Sequence, residues 1–192
     1  MSSVLRIGVV GVGALSSGRS FRHLSTPDLS GTLKLTALCD PVMERAELVA
    51  GQHGVEHVFD SLSAMLEADV VDAVTIVSPI GLHYQHVRDA LAAGKHVHVN
   101  KTMTTTVEEA DEVIGLARDR GLALVASPGE VLRPQVSAVR DAIGSGSIGK
   151  VAWAICGCAF EQYHEDEPER DLAGGIDPTW YYRFPEADPW TT

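Results

Sequence analysis

Apolar residues fill nearly every position of the run LRIGVV at 5–10 instead of alternating with polar ones. Leu5, Ile7, Val9 and Val10 therefore read as a strand buried on both faces. Comparable short runs at 33–39, around Val58, and at 71–77, 97–99 and 122–126 are each bounded by glycine, proline or polar turn residues, which predicts five more strands. Between them the apolar spacing lengthens to three and four. That spacing predicts helices over 14–24, 41–53, 61–68, 82–93, a stretch opening after Thr106, and 134–143. Pro41 suits the first position of its helix, Thr106 with Glu109 forms a capping box, and Gly94 and Gly121 stop two of the helices. Strands and helices alternate, so the predicted class is α/β with a doubly wound parallel sheet. A last apolar run, VAWAICGCAF at 151–160, predicts a strand with no partner in the sequence after it.

Composition adjusts this picture in three ways. With 192 residues, 45% of them hydrophobic, the chain can bury one good core and part of a second. Its net charge of −11 argues against nucleic-acid and anionic membrane surfaces as partners. No apolar run reaches the length of a membrane span, and Arg6 with its neighbouring glycines interrupts the apolar start where a signal peptide needs an unbroken core. A cytoplasmic protein is expected. The three cysteines, Cys39, Cys156 and Cys158, make neither a disulfide framework nor a CxxC pair. Cys156 and Cys158 share one face of the last predicted strand, and packing is preferred to metal binding there.

Candidate chemistry gathers at strand ends. Gly11, Val12 and Gly13 follow the first strand directly. One glycine lets the chain turn tightly, and the second lets the backbone approach a pyrophosphate whose charge rests on the first N–H groups of the next helix, near Ala14 and Leu15. Ser16 stands where a third glycine would complete the pattern; it is small enough for close helix–strand contact. Asp40 ends the second strand and reads either as an acid for an adenosine ribose or as a plain helix N-cap. It lies farther past Gly13 than the roughly 20 residues expected, and the loop at 25–32 accounts for the excess. An acid there favours NAD, and Arg45 leaves NADP open. His83 and His86 share a helix face, and His96 and His98 share a strand face. No acid or cysteine accompanies either pair at ligand spacing, so no metal site is assigned. Ligands bind at the carboxyl ends of strands in such sheets, so Gly11, Asp40, Ser78 and Lys101 should meet on one edge.

Taken together, RIGVVGVGA, ALCDP, VTIVSPIGLHYQHVRDALAAGKHVHVNKT and TTTVEEADEVIGLARDRG resemble the glucose-fructose oxidoreductase and inositol dehydrogenase (Gfo/Idh/MocA) family, over residues 6–184. The resemblance implies a Rossmann domain for NAD or NADP over 1–127 and the incomplete start of a substrate and dimerisation domain over 128–192. It implies hydride transfer between nicotinamide and a hydroxyl carbon of a sugar, inositol or related compound. It makes Lys101 the group beside the nicotinamide and the substrate hydroxyl, with Gly11, Gly13, Ala14, Leu15, Asp40, Ser78, Pro79, His83, Asn100 and Lys101 as the cofactor-side set. The family's Glu-Lys-Pro is here Asn100, Lys101, Thr102. Asn100 removes an acid that would tune the lysine, and a threonine in place of a proline that is often cis predicts a trans peptide.

Relatives follow a stretch like IDPTWYYR with the acid and histidine that complete the active site, whereas this sequence reads FPEADPWTT and stops. Weak or absent turnover by the chain alone is therefore expected. Two further readings stay open. One is a non-catalytic nicotinamide-binding sensor or assembly subunit, pairing with a second copy or a complementing chain through the 151–160 strand. The other is a truncated, poorly folded product.

Overall fold

The structure is a computed structural model and describes residues 4–13, 21–24, 26–127 and 129–155. The chain divides into two compact units at residues 127 and 128, taken here one at a time.

The first unit is a six-stranded sheet. Its strands are β1 (Leu5–Val10), β2 (Leu33–Cys39), β3 (His57–Phe59), β4 (Ala73–Ile76), β5 (His96–Val99) and β6 (Leu124–Ala126). Every pairing is parallel, in the order β3-β2-β1-β4-β5-β6. The helices are α1 (Phe21–Leu24), α2 (Met43–His53), α3 (Leu62–Glu67), α4 (His83–Ala92) and α5 (Val107–Asp119). The six strands and the alternation match the doubly wound α/β arrangement predicted.

Successive β1 residues point to opposite faces, and both faces are covered. Val10 packs with Ile76, Val99, Val87 and Leu91 of α4, Val113 of α5 and Met65 of α3. Val9 packs with Phe21 of α1, Leu35, Leu38, and Ala46 and Val49 of α2. Each fully buried aliphatic side chain contributes roughly 1.5–3 kcal/mol, which is why an almost uninterrupted apolar run is required at the sheet centre. Gly8 makes room on the first of these faces. A Cβ there would sit 2.7 Å from Sδ of Met65 and 2.9 Å from Cγ1 of Val71.

At the amino edge of the sheet, Arg6 holds Asp72 through Nη2 at 2.6 Å and through Nε at 3.1 Å, and donates from Nη1 to the Asp69 carbonyl. Lys95 Nζ completes this fringe at 2.5 Å from Asp69 Oδ1. The carboxyl edge, where β1, β2, β4 and β5 end, carries the candidate site.

Boundaries shift where side chains intervene. The helix predicted from Pro41 starts at Met43, because Asp40 Oδ1 accepts the Val42 N–H at 2.9 Å and holds a turn ahead of it. The capping box forms as read: Thr106 Oγ1 accepts from Glu109 N, and the Glu109 carboxylate accepts from Thr106 N. Of the helix predicted over 14–24, only Phe21–Leu24 lies within the described residues. No described helix is long and apolar enough to cross a membrane.

Within the described part of the second unit, a 3-10 turn at Gly129–Leu132 leads into α6 (Pro134–Gly144), with Pro134 in its first turn. The strand expected from Val151 is not formed over 151–155, which corrects that part of the sequence reading. Val151, Trp153 and Ile155 are exposed there. Apolar character alone does not make a strand; a ladder partner does, and no described strand pairs with 151–155. The rest of that predicted strand, with Cys156 and Cys158, lies outside the described residues.

Candidate active site

Four loop tips meet at the carboxyl edge. Gly11 follows β1, donates its N–H to the Cys39 carbonyl at 2.8 Å, and has φ +93°. A Cβ on Gly11 would lie 2.8 Å from Ser78 N and from the Val77 carbonyl atoms. The turn after β1 is thus pressed against the turn after β4, and only glycine satisfies both the angle and the space. Gly13 is the converse: nothing lies within 4 Å of a Cβ built on it. One tight glycine and one open glycine fit the approach of a dinucleotide phosphate. Ala14 and Leu15 lie outside the described residues.

Asp40, 2% exposed, closes the β2 side. Its Oδ2 accepts the Val12 N–H at 2.8 Å, and its Oδ1 accepts Val42 N–H at 2.9 Å and Nη2 of Arg45 at 2.6 Å. A carboxylate offers roughly four acceptor positions, so three are filled by the protein. Asp40 is not a side-chain cap of α2, whose N-cap is Val42. Among the described residues, Arg45 Nε is buried without a hydrogen-bond partner.

At the end of β4, Ser78 is held twice from α4. Its hydroxyl is hydrogen-bonded to His86 Nδ1 at 2.9 Å, and its carbonyl accepts from His83 Nε2 at 2.7 Å. Pro79 follows, half-buried, ahead of the 3-10 turn Ile80–Leu82. At the end of β5, Asn100 N donates to the Ile76 carbonyl at 2.9 Å, Lys101 is exposed, and the Thr102 carbonyl is in hydrogen-bond contact with Nδ1 of buried His83. The Lys101–Thr102 peptide is cis, not trans as the threonine predicts.

The histidine pairs have separate employments. His83 and His86 both serve Ser78, while His96 Nδ1 accepts the Ala123 N–H at 3.0 Å between β5 and β6. Burial, and next the neighbouring His83, push the His86 imidazole below its usual range; burial does the same to His98. Burial, reinforced by Asp40 and Asp60, pushes the Cys39 thiol up to about 12, so it stands as a packed, protonated core residue.

The structure therefore brings Gly11, Asp40 and Ser78 into one connected cluster and sets Lys101 one residue from its edge. Sequence reasoning missed the Arg45–Asp40 pair and the two-loop contact of His83. Arg45 at five residues past the strand-end acid is a usable signal for the first. The second carries no local signal.

A six-stranded parallel sheet with a glycine turn after its first strand defines a dinucleotide-binding α/β protein. Residues 5–127 match the family model described as Oxidoreductase family, NAD-binding Rossmann fold (GFO_IDH_MocA), and the chain belongs to that family. It is 33% identical over 147 residues to dTDP-3,4-didehydro-2,6-dideoxy-alpha-D-glucose 3-reductase of Actinomadura kijaniata, covering 77% of this chain and 43% of the relative. It is 31% identical over 150 residues to D-glucoside 3-dehydrogenase of Escherichia coli strain K12, covering 78% and 42%. Among solved structures, scyllo-inositol dehydrogenase of Lactobacillus casei with NAD(H) and scyllo-inositol superposes with TM-score 0.70 at 27% identity, over 77% of this chain and 43% of that one. A 3-ketoreductase of Actinomadura kijaniata in complex with NADP gives 0.68 at 33% identity, over 77% and 46%. The chain spans a little over two fifths of the length of these curated relatives.

Proposed function

We propose that this chain carries the nucleotide-binding half of an NAD- or NADP-dependent oxidoreductase acting on a hydroxyl carbon of a sugar, inositol or related compound. The observation that carries the reading is the junction of the Gly11 turn, Ser78 and the Lys101 loop on one sheet edge. When bound, the nicotinamide supplies the exchange of two electrons with a carbinol carbon. The absence of a side chain at Gly13, where a Cβ has room, admits the pyrophosphate. Asp40 offers its remaining acceptor position to a ribose hydroxyl, which favours NAD; Arg45 beside it leaves NADP acceptable. Lys101, exposed on its loop, stabilises alkoxide character on the substrate oxygen and passes its proton. Ser78, Pro79 and Asn100 line the approach. Residues 128–192 are taken as the start of a substrate and dimerisation domain, and a cytoplasmic location agrees with three cysteines lacking a disulfide framework.

Titration of NADH and NADPH by fluorescence into the parent chain, Asp40→Asn and Lys101→Ala tests this. Asp40→Asn weakens NADH by about tenfold, the worth of one charge-assisted hydrogen bond, and NADPH by less. Lys101→Ala leaves both affinities within about threefold, since the ammonium acts on the substrate oxygen. A parent chain that binds neither nucleotide sinks the proposal.

A further inference from the structure

Two carbonyl oxygens from different loops face opposite nitrogens of one buried ring. His83, the first residue of α4, is 1% exposed. Its Nε2 donates to the Ser78 carbonyl at 2.7 Å, and its Nδ1 is hydrogen-bonded to the Thr102 carbonyl. Ser78 lies against the Gly11 turn. Thr102 is the residue directly after Lys101. The ring therefore joins the turn after β4, against which the Gly11 turn is pressed, to the lysine loop.

The sheet does not fix that spacing by itself. The ladder between β4 and β5 ends with Ile76 opposite Val99, and one more rung follows from Asn100 N to the Ile76 carbonyl. Past that rung, among the described residues, the side chain that joins the two loops is His83. A carbonyl oxygen only accepts, so both contacts count as hydrogen bonds only with a proton on each ring nitrogen, the imidazolium form, because a neutral imidazole carries a single N–H. Few side chains of this size put donors at two opposite ends. A phenyl ring of similar outline has none, and a glutamine amide has them at one end only.

We propose that His83 is a positioning residue, a two-ended clamp that sets the Lys101 loop against the Gly11–Ser78 junction and so fixes where the lysine ammonium is presented. The clamp rests on the proposed function only for what Lys101 does once placed; its geometry is read without any nucleotide. A histidine that merely fills the start of a helix predicts something different, namely an even loss of stability through the whole sheet when it is replaced.

Amide hydrogen exchange on the full chain separates the two, comparing the parent with His83→Phe and His83→Gln. The clamp predicts that the hydrogen-bonded amides flanking the lysine loop, Asn100 on the Ile76 carbonyl and Thr105 and Thr106 on the Glu109 carboxylate, exchange at least about tenfold faster in His83→Phe, the effect of loosening the loop locally. Val9, Val10 and Ile76 amides stay unchanged, and His83→Gln falls between. Unchanged loop exchange, an acceleration shared by β1 and β4, or failure of both variants to fold overturns it. A second arm follows acetylation of Lys101 by N-hydroxysuccinimidyl acetate with and without NADH. Under the clamp, NADH protects Lys101 in the parent and loses that protection in His83→Phe at saturating nucleotide; retained protection in the variant overturns the clamp. If NADH does not bind the parent at all, the proposed function fails, and the exchange arm still decides the clamp.

Discussion

The Asp40 carboxylate accepts the backbone N–H of Val12 at 2.8 Å from 28 positions farther along the chain, and so ties the tip of β2 to the middle of the glycine turn. Val12 is itself 1% exposed, so water does not replace that bond when the acid is lost.

Asp40→Ala therefore leaves two backbone N–H groups and the Arg45 guanidinium without their acceptor. The expected loss is roughly 2–4 kcal/mol, the range for a broken buried charge-assisted cluster. Urea unfolding reads it as a lower midpoint at constant slope. Adding Arg45→Met to Asp40→Ala recovers part of the loss, because the stranded cation goes too. A double variant no more stable than the single one counts against the pairing.

The two glycines of the turn separate folding from binding. Gly11→Ala forces a Cβ to 2.8 Å from backbone atoms at φ +93°, where neither neighbour can retreat, and costs more than about 3 kcal/mol. Gly13→Ala meets nothing within 4 Å and leaves stability within about 1 kcal/mol. Its effect appears in NADH affinity, which falls by about tenfold or more as the methyl obstructs the pyrophosphate. Thermal melts together with nucleotide titration distinguish the two. Equal melts for both variants contradict the packing described.

Stability should fall with acid in two stages. Burial, the leading cause, lowers the folded-state values of His86 and His98. The unfolded chain therefore takes up protons first, and stability declines as pH drops from about 6.5 toward those lowered values. Hydrogen bonding to Arg6 lowers Asp72, and hydrogen bonding to Lys95 lowers Asp69. Their contribution is present above the ordinary carboxylate value of about 3.9 and is lost as pH falls through the folded ones. Urea midpoints from pH 8 to 3 trace both limbs. His98→Gln flattens the upper limb and Asp72→Asn the lower. A level profile between pH 7 and 5 is the contrary result.

Thr106→Ala removes the acceptor for the Glu109 N–H and half of the capping box of α5. About 1 kcal/mol goes with it, seen as a fall of about 2–4 °C in Tm for a unit of this size. Thr106→Ser retains most of it.

The frame was readable wherever burial on both faces leaves a continuous apolar run. β2 was predicted at 33–39 and is found at Leu33–Cys39, and α5 announced itself through Thr106 and Glu109. Boundaries slipped where a side chain from elsewhere takes over a backbone group. Asp40 delays α2, and β4 starts at Ala73 because Asp72 turns its carboxylate to the Arg6 backbone and guanidinium. The run at 151–155 misled because apolarity says nothing about whether a partner strand is within reach. For the site, strand ends told which loops meet. They did not tell which atoms join them, because the Val12–Asp40 and His83–Thr102 contacts depend on separations of 28 and 19 residues that leave no periodic trace.

Strand β1 lies between one neighbour that follows it closely in sequence and another, β4, whose approach is marked by Arg6 and Asp72 at a separation of 66. During synthesis the glycine turn emerges early, yet the wall it leans on, Val77 and Ser78, is made much later. A growing chain thus cannot build the nucleotide seat piecemeal, since closing that long span comes before it. Any dinucleotide it captures acts as a brace on the joined halves, raising the stability of the united sheet by mass action.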